Sequence, residues 1–85
     1  AKDIEHAFEL SEQSNYGLGV TVCTENIDKA VSYASRVSDG AYFVNELVKS
    51  DPRLPFGGTK LSGYGRELAK DGMMEFVNRK TVYVK

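Results

Sequence analysis

Val20-Thr21-Val22-Cys23-Thr24, then Asn26 with Ile27, Ala30, Val31, Ala34 and Val37 behind it, then Ala41-Tyr42-Phe43-Val44-Asn45: this run decides the fold. The first and last pieces are short and rich in β-branched and aromatic residues, so they predict strands. The middle piece repeats apolar residues at helical spacing. Asn26 stands where an N-cap belongs, and Asp39-Gly40 stands where a helix stops. Strand, helix and strand over residues 20–45 predict a βαβ unit. Its two strands should therefore be parallel with a right-handed crossover, which places the chain in the α/β class.

Upstream, Ile4, Ala7, Phe8 and Ser11 recur at helical spacing behind Asp3, a candidate cap, and this helix should end near Asn15-Tyr16-Gly17. Downstream, residues 46–66 read as a long loop holding both prolines and four of the eight glycines. Ordered loops of that length are usually functional. A third helix capped near Asp71 should carry Met73, Phe76 and Val77, with Gly72 as a mild cost in its first turn. Thr81-Val82-Tyr83-Val84-Lys85 predicts a terminal strand. There is no internal repeat, low-complexity stretch or domain boundary.

The 85 residues carry 11 basic and 12 acidic side chains, 41% hydrophobic residues and a formal net charge of -1. That balance leaves no electrostatic footprint for nucleic acid or an anionic membrane surface. Apolar runs are only a few residues long, so no bilayer span is expected. A single cysteine cannot form an internal disulfide, which fits a reducing, cytoplasmic setting. The chain opens at Ala1 directly on a helical pattern, without a leader pattern, and is expected to be a piece of a longer polypeptide. At this size it buries a small share of its surface and lies near the margin of independent stability.

Side chains that could carry chemistry are few. Gly58-Thr59-Lys60 lacks the Gly-Lys-Ser/Thr ending of a P-loop. A dinucleotide fingerprint would need glycine where Leu68 stands. Tight turns and close packing are therefore the favoured use of the glycines. Cys23, inside a predicted strand, reads as a small buried hydrophobe and not as a reactive thiolate. His6 is the only histidine, so it has no partner for a metal site. Ser14, Ser32, Ser35 and Ser62 have no base to activate them. No catalytic residue, cofactor ligand or metal ligand is assigned. The segment Asn45 to Phe56 is more promising, because it leaves the C-terminal end of a predicted parallel strand, where open α/β folds place ligands.

Residues 55–67, Pro55-Phe56-Gly57-Gly58-Thr59-Lys60-Leu61-Ser62-Gly63-Tyr64-Gly65-Arg66-Glu67, resemble the C-terminal signature Pro-Phe-Gly-Gly-x-Lys-x-Ser-Gly-x-Gly-Arg-Glu of the NAD(P)-dependent aldehyde dehydrogenases. The similarity continues in Tyr16-Gly17-Leu18, in Gly40 to Asn45, and in Glu75-Phe76 with Lys80-Thr81-Val82. It implies that residues 1–80 are the C-terminal part of a catalytic domain and that residues 81–85 are a terminal oligomerisation strand. The parent enzyme would oxidise an aldehyde to a carboxylic acid. A cysteine thiolate would attack, a hydride would pass to NAD or NADP, and a glutamate would direct water at the thioester. Neither that cysteine, which lies in a Gly-Gln-x-Cys context upstream, nor the glutamate is in this chain. The fragment alone should be inactive and bind no cofactor.

The resemblance also implies site residues. Phe56 matches an aromatic of the aldehyde pocket, and residues 48–52 match the loop that selects substrates. The form Lys-Ser-Asp-x-Arg-x-Pro-Phe-Gly-Gly is similar to the succinate-semialdehyde dehydrogenase branch. Ser50 then matches a serine that helps hold the substrate carboxylate, with Asp51 as the neighbouring candidate. The implied partners are a small aldehyde and further copies of the chain, with neither nucleic acid nor membrane. The alternative function is a free-standing interaction module that uses its terminal strand for β-augmentation.

Overall fold

Two short sheets, one parallel and one antiparallel, organise the chain in the computed structural model, which describes residues 1–85. The elements are α1 (Ile4–Glu12), β1 (Tyr16–Gly17), β2 (Val20–Val22), α2 (Ile27–Ser32), a 3₁₀ turn (Ala34–Arg36), β3 (Tyr42–Val44), β4 (Thr59–Lys60) and α3 (Ala69–Met74). Strands β2 and β3 pair in parallel, with Val20 opposite Tyr42 and Val22 opposite Val44. The expected βαβ unit is therefore formed. Asn26 caps α2, its side-chain oxygen accepting the Lys29 N–H at 3.0 Å. The Tyr42 hydroxyl donates to the Ala30 carbonyl at 2.8 Å and fixes α2 against β3, with Ala30 buried.

Helix α1 begins where Asp3 accepts the His6 N–H at 2.8 Å. It docks through Phe8, whose ring stacks on Tyr33 at 4.9 Å between centroids and 10° between planes. Glu5 completes the contact, accepting the Tyr33 hydroxyl at 2.7 Å and pairing with Arg36 at 2.5 Å. At the other end, Glu12 accepts both the N–H and the hydroxyl of Ser38.

The second sheet is absent from the sequence reading. Strand β1 pairs antiparallel with β4, Tyr16 opposite Lys60 and Gly17 opposite Thr59, so the glycine loop folds back over the start of the βαβ unit. Gly17 is its hub. Its N–H donates to the Ser62 hydroxyl at 2.9 Å, and its carbonyl accepts the Gly40 N–H at 3.0 Å. A side chain at Gly40 would overlap the Gly57 carbonyl, so close backbone packing requires glycine there.

Several expected boundaries move. The second helix does not run to Val37. It ends at Ser32, whose hydroxyl bonds back to the Lys29 carbonyl, and tightens to 3₁₀ through the Arg36 N–H to Tyr33 carbonyl bond of 2.9 Å. Ile27 and Val31, expected on its packed face, are exposed. The third helix starts at Ala69, earlier than Asp71, behind the left-handed backbone of Leu68, and Phe76 and Val77 lie beyond its end. Cys23 is not in a strand interior; it follows β2 and is exposed.

The expected strand over residues 81–85 is not formed, and Val82, Tyr83 and Val84 are 77%, 85% and 84% exposed. A strand exists only with a ladder partner, and β-propensity alone does not supply one. Only five residues are buried, so most of the chain's apolar faces are uncovered.

Candidate functional site: the loop from Asn45 to Phe56

Strand β3 ends at Val44, and at Asn45 the chain turns with φ 57°, a left-handed conformation that asparagine adopts more readily than most residues. Three contacts tie this turn to β2 and the segment after it. The Asn45 N–H donates to the Val22 carbonyl at 2.9 Å. Its side-chain oxygen accepts the Thr24 N–H while its amide donates to the Thr24 carbonyl, both at 2.8 Å. The Thr21 hydroxyl adds a bond to the Glu46 carbonyl at 3.0 Å.

The middle of the loop is shaped by its own charges. Glu46 pairs with Lys49 at 2.9 Å, and this contact, with the Leu47 N–H, holds its carboxyl below the usual range. Asp51 accepts the Arg53 N–H and Nε, each at 2.9 Å, on one oxygen and Nη2 at 2.6 Å on the other. The Arg53 guanidinium thus lowers the Asp51 pKa and commits both of its oxygens to the turn. The loop closes at Phe56, which exchanges backbone bonds of 2.9 and 2.7 Å with Glu67. The Ala69 N–H reaches the Pro52 carbonyl at 3.2 Å.

Of the three residues expected at a substrate site, Asp51 and Phe56 line one cavity of ≈ 350 Å³ beneath the loop, together with Tyr42, Phe43, Lys49 and Leu54. Ser50 is exposed and does not line that cavity. Phe56 also faces a larger, open cleft bordered by Leu18, Tyr64, Met73 and Phe76. Asp51, with its oxygens occupied by Arg53, shapes the loop, and the ion pair as a whole carries no net charge.

The glycine loop is a packing device. The Leu61, Ser62 and Gly63 N–H groups, which could otherwise face a phosphate, donate to the carbonyls of Asn15, Thr59 and Lys60. Arg66 crosses the loop and donates to the Gly58 and Gly65 carbonyls at 2.9 and 2.6 Å. The three backbone N–H groups and Arg66 Nη1 are thus spent on contacts within the chain. No group of three His, Cys, Asp or Glu side chains converges on a possible metal position. Two residues without a role assigned from the sequence hold the loops: Asn45 ties the start of the 45–56 loop to Thr24, and Arg66 braces the glycine loop. The signal for Asn45 was an asparagine at a strand end before a long loop; for Arg66 it was an arginine directly after a glycine run.

The profile described as the aldehyde dehydrogenase family matches residues 1–82. The NAD(P)+ succinate semialdehyde dehydrogenase Sad of Escherichia coli is 46% identical over 83 residues, covering 98% of this chain and 18% of that protein. The NADP(+) succinate-semialdehyde dehydrogenase of Deinococcus radiodurans is 43% identical over 81 residues, covering 95% and 17%. The crystal structure of succinic semialdehyde dehydrogenase from Streptococcus pyogenes in complex with NADP+ superimposes with a TM-score of 0.91 and 43% identity, over 99% of this chain and 18% of that one. The chain thus spans less than a fifth of the length of these relatives.

Proposed function

The chain belongs to the aldehyde dehydrogenase family, and from that premise we propose that it is the C-terminal segment of an NAD(P)-dependent, cytoplasmic enzyme that oxidises succinate semialdehyde to succinate. Residues 1–80 complete the catalytic domain and residues 81–85 contact a neighbouring subunit. Phe56 forms a wall of the aldehyde site. Ser50 donates a hydrogen bond to the substrate's distal carboxylate, and Asp51 holds the turn that presents it. The nucleophile, the base and the nucleotide site belong to the remainder of the enzyme, and this segment alone neither binds NAD(P)+ nor turns over.

The observation that carries this reading is the loop itself. Lys49-Ser50-Asp51 leaves the end of a parallel strand, Ser50 is exposed, and the Asp51–Arg53 contact braces the turn beside it. Nucleophilic attack needs an aldehyde held in one orientation, and a bond to the carboxylate at the far end of a short semialdehyde supplies that orientation. A hydrogen bond to a charged group is worth about 1.5–3 kcal/mol.

The test is Ser50→Ala in the full-length polypeptide that carries residues 1–85. Its kcat/KM for succinate semialdehyde should fall at least tenfold, as such a bond implies, while an uncharged aldehyde of similar length is little affected. Equal losses for both substrates would remove the carboxylate role of Ser50.

A further inference from the structure

We infer that Asn45 is a positioning residue that sets the selectivity of the loop from Glu46 to Phe56 through its clamp on Thr24. The inference rests on the proposed reading of that loop as the substrate site.

The geometry is specific to asparagine. The side chain must accept the Thr24 N–H and donate to the Thr24 carbonyl, both at 2.8 Å, from a backbone at φ 57°. Aspartate can accept but, when ionised, cannot donate. Alanine does neither and is strained in the left-handed region. Glycine fits the backbone but leaves both Thr24 groups without these partners. Asn45 therefore joins the two segments that leave the same ends of β2 and β3. The bond from the Thr21 hydroxyl to the Glu46 carbonyl reinforces the joint one residue further on.

Beyond this joint, the side chains of residues 46–50 make few contacts with the rest of the chain, the exception being Val48, whose methyl groups lie over Gly19. Glu46 pairs only with Lys49 and the Leu47 N–H, and Leu47 is 75% exposed. The next backbone tie to another element is the Ala69 N–H on the Pro52 carbonyl at 3.2 Å. The direction in which Lys49 and Ser50 emerge is thus set by the Asn45 clamp together with the Val48 seat on Gly19 that follows it. Loosening the clamp lets this stretch swing about the Pro52 tie while the βαβ unit behind it stays paired.

Two readouts on the full-length polypeptide test this: amide hydrogen exchange resolved by segment, and steady-state kinetics with succinate semialdehyde and an uncharged aldehyde. Asn45→Gly should speed exchange at Thr24 and residues 46–51 and leave residues 34–44 unchanged. It should raise KM for succinate semialdehyde roughly tenfold, as the loss of two ordinary hydrogen bonds implies, with a much smaller change in kcat. Asn45→Asp, which keeps the acceptor, should fall between Asn45→Gly and wild type. Combined with Ser50→Ala, Asn45→Gly should cost little selectivity beyond Ser50→Ala alone, because both act on one contact.

Wild-type exchange in Asn45→Gly overturns the inference, as does a loosened loop with unchanged KM. Faster exchange spread over the whole of residues 20–45 also overturns it, since that marks a general stabilising role. If Ser50→Ala leaves selectivity intact while Asn45→Gly loosens residues 46–51 and raises KM for succinate semialdehyde alone, the role of Ser50 fails. The positioning role of Asn45 then stands, acting through the rest of the loop.

Discussion

A glycine inside a helix usually costs about 1 kcal/mol relative to alanine, yet Gly72 occupies the interior of α3 and is buried. A Cβ there would lie 2.7 Å from the Glu67 carbonyl carbon and 3.1 Å from its Cα. The obstacle is backbone and cannot rotate away. Gly72→Ala should therefore lower stability by about 1–3 kcal/mol, the usual scale of overpacking, in place of the gain that helix propensity implies. Denaturant unfolding checks the sign, and a stabilised variant would contradict the packing described for α3. At this scale the sequence names Ser50, Asp51 and Phe56 as candidates but not how their side chains are oriented. The commitment of Asp51 to Arg53 is a two-residue contact written in Asp51-Pro52-Arg53, whereas the exposure of Ser50 follows from how the whole loop leaves β3.

At the scale of elements, α1 is held on the rest of the chain by charge as well as by the Phe8–Tyr33 stack. The hydrogen bond from Arg36, then that from Tyr33, lowers the Glu5 pKa from 4.5 to about 2. A carboxyl with a depressed folded pKa contributes stability above its unfolded value and loses it as the pH falls through the folded one. The docking of α1 should therefore be complete above pH 4.5 and weaken as the pH falls toward about 2. Glu5→Gln should remove that part of the acid response. Ring resonances of Phe8 and Tyr33 followed by NMR report it directly. Identical acid profiles for the two proteins would show that Glu5 does not tether the helix.

The elements that the sequence foretold are those with local signals: a capped α1, the Asn26 cap of α2, and the β-branched runs of β2 and β3. Strands β1 and β4 have two residues each, too short for any periodicity, and depend on the hydroxyls of Ser62 and Thr59 meeting Gly17 across more than forty residues of sequence. The start of α3 depends on left-handed backbone at Leu68 and Ala69, which no residue type announces. The terminal strand failed because pairing is a relation between segments and not a property of one.

The whole molecule is extended. Its radius of gyration is 16.4 Å, against about 12 Å for a compact domain of this length. The excess goes with an uncovered C-terminal segment and with exposed Val31, Leu61, Tyr64 and Phe76. Extended β-branched chain with unpaired backbone is a template for another chain. Light scattering across a concentration series should show dimers or larger assemblies, and deletion of residues 81–85 should shift them toward monomer. A strictly monomeric wild-type chain would contradict this account of its uncovered surface.

The central claim is that these residues complete a dehydrogenase whose chemistry lies elsewhere in the polypeptide. Reduced nicotinamide formation from succinate semialdehyde, measured side by side for the full-length polypeptide and for residues 1–85 alone, tests it most directly. The account predicts turnover by the full-length protein with NAD+ or NADP+ and none by the 85-residue chain at any concentration. Turnover by the isolated chain, or a full-length protein that leaves succinate semialdehyde untouched with either cofactor, would contradict it.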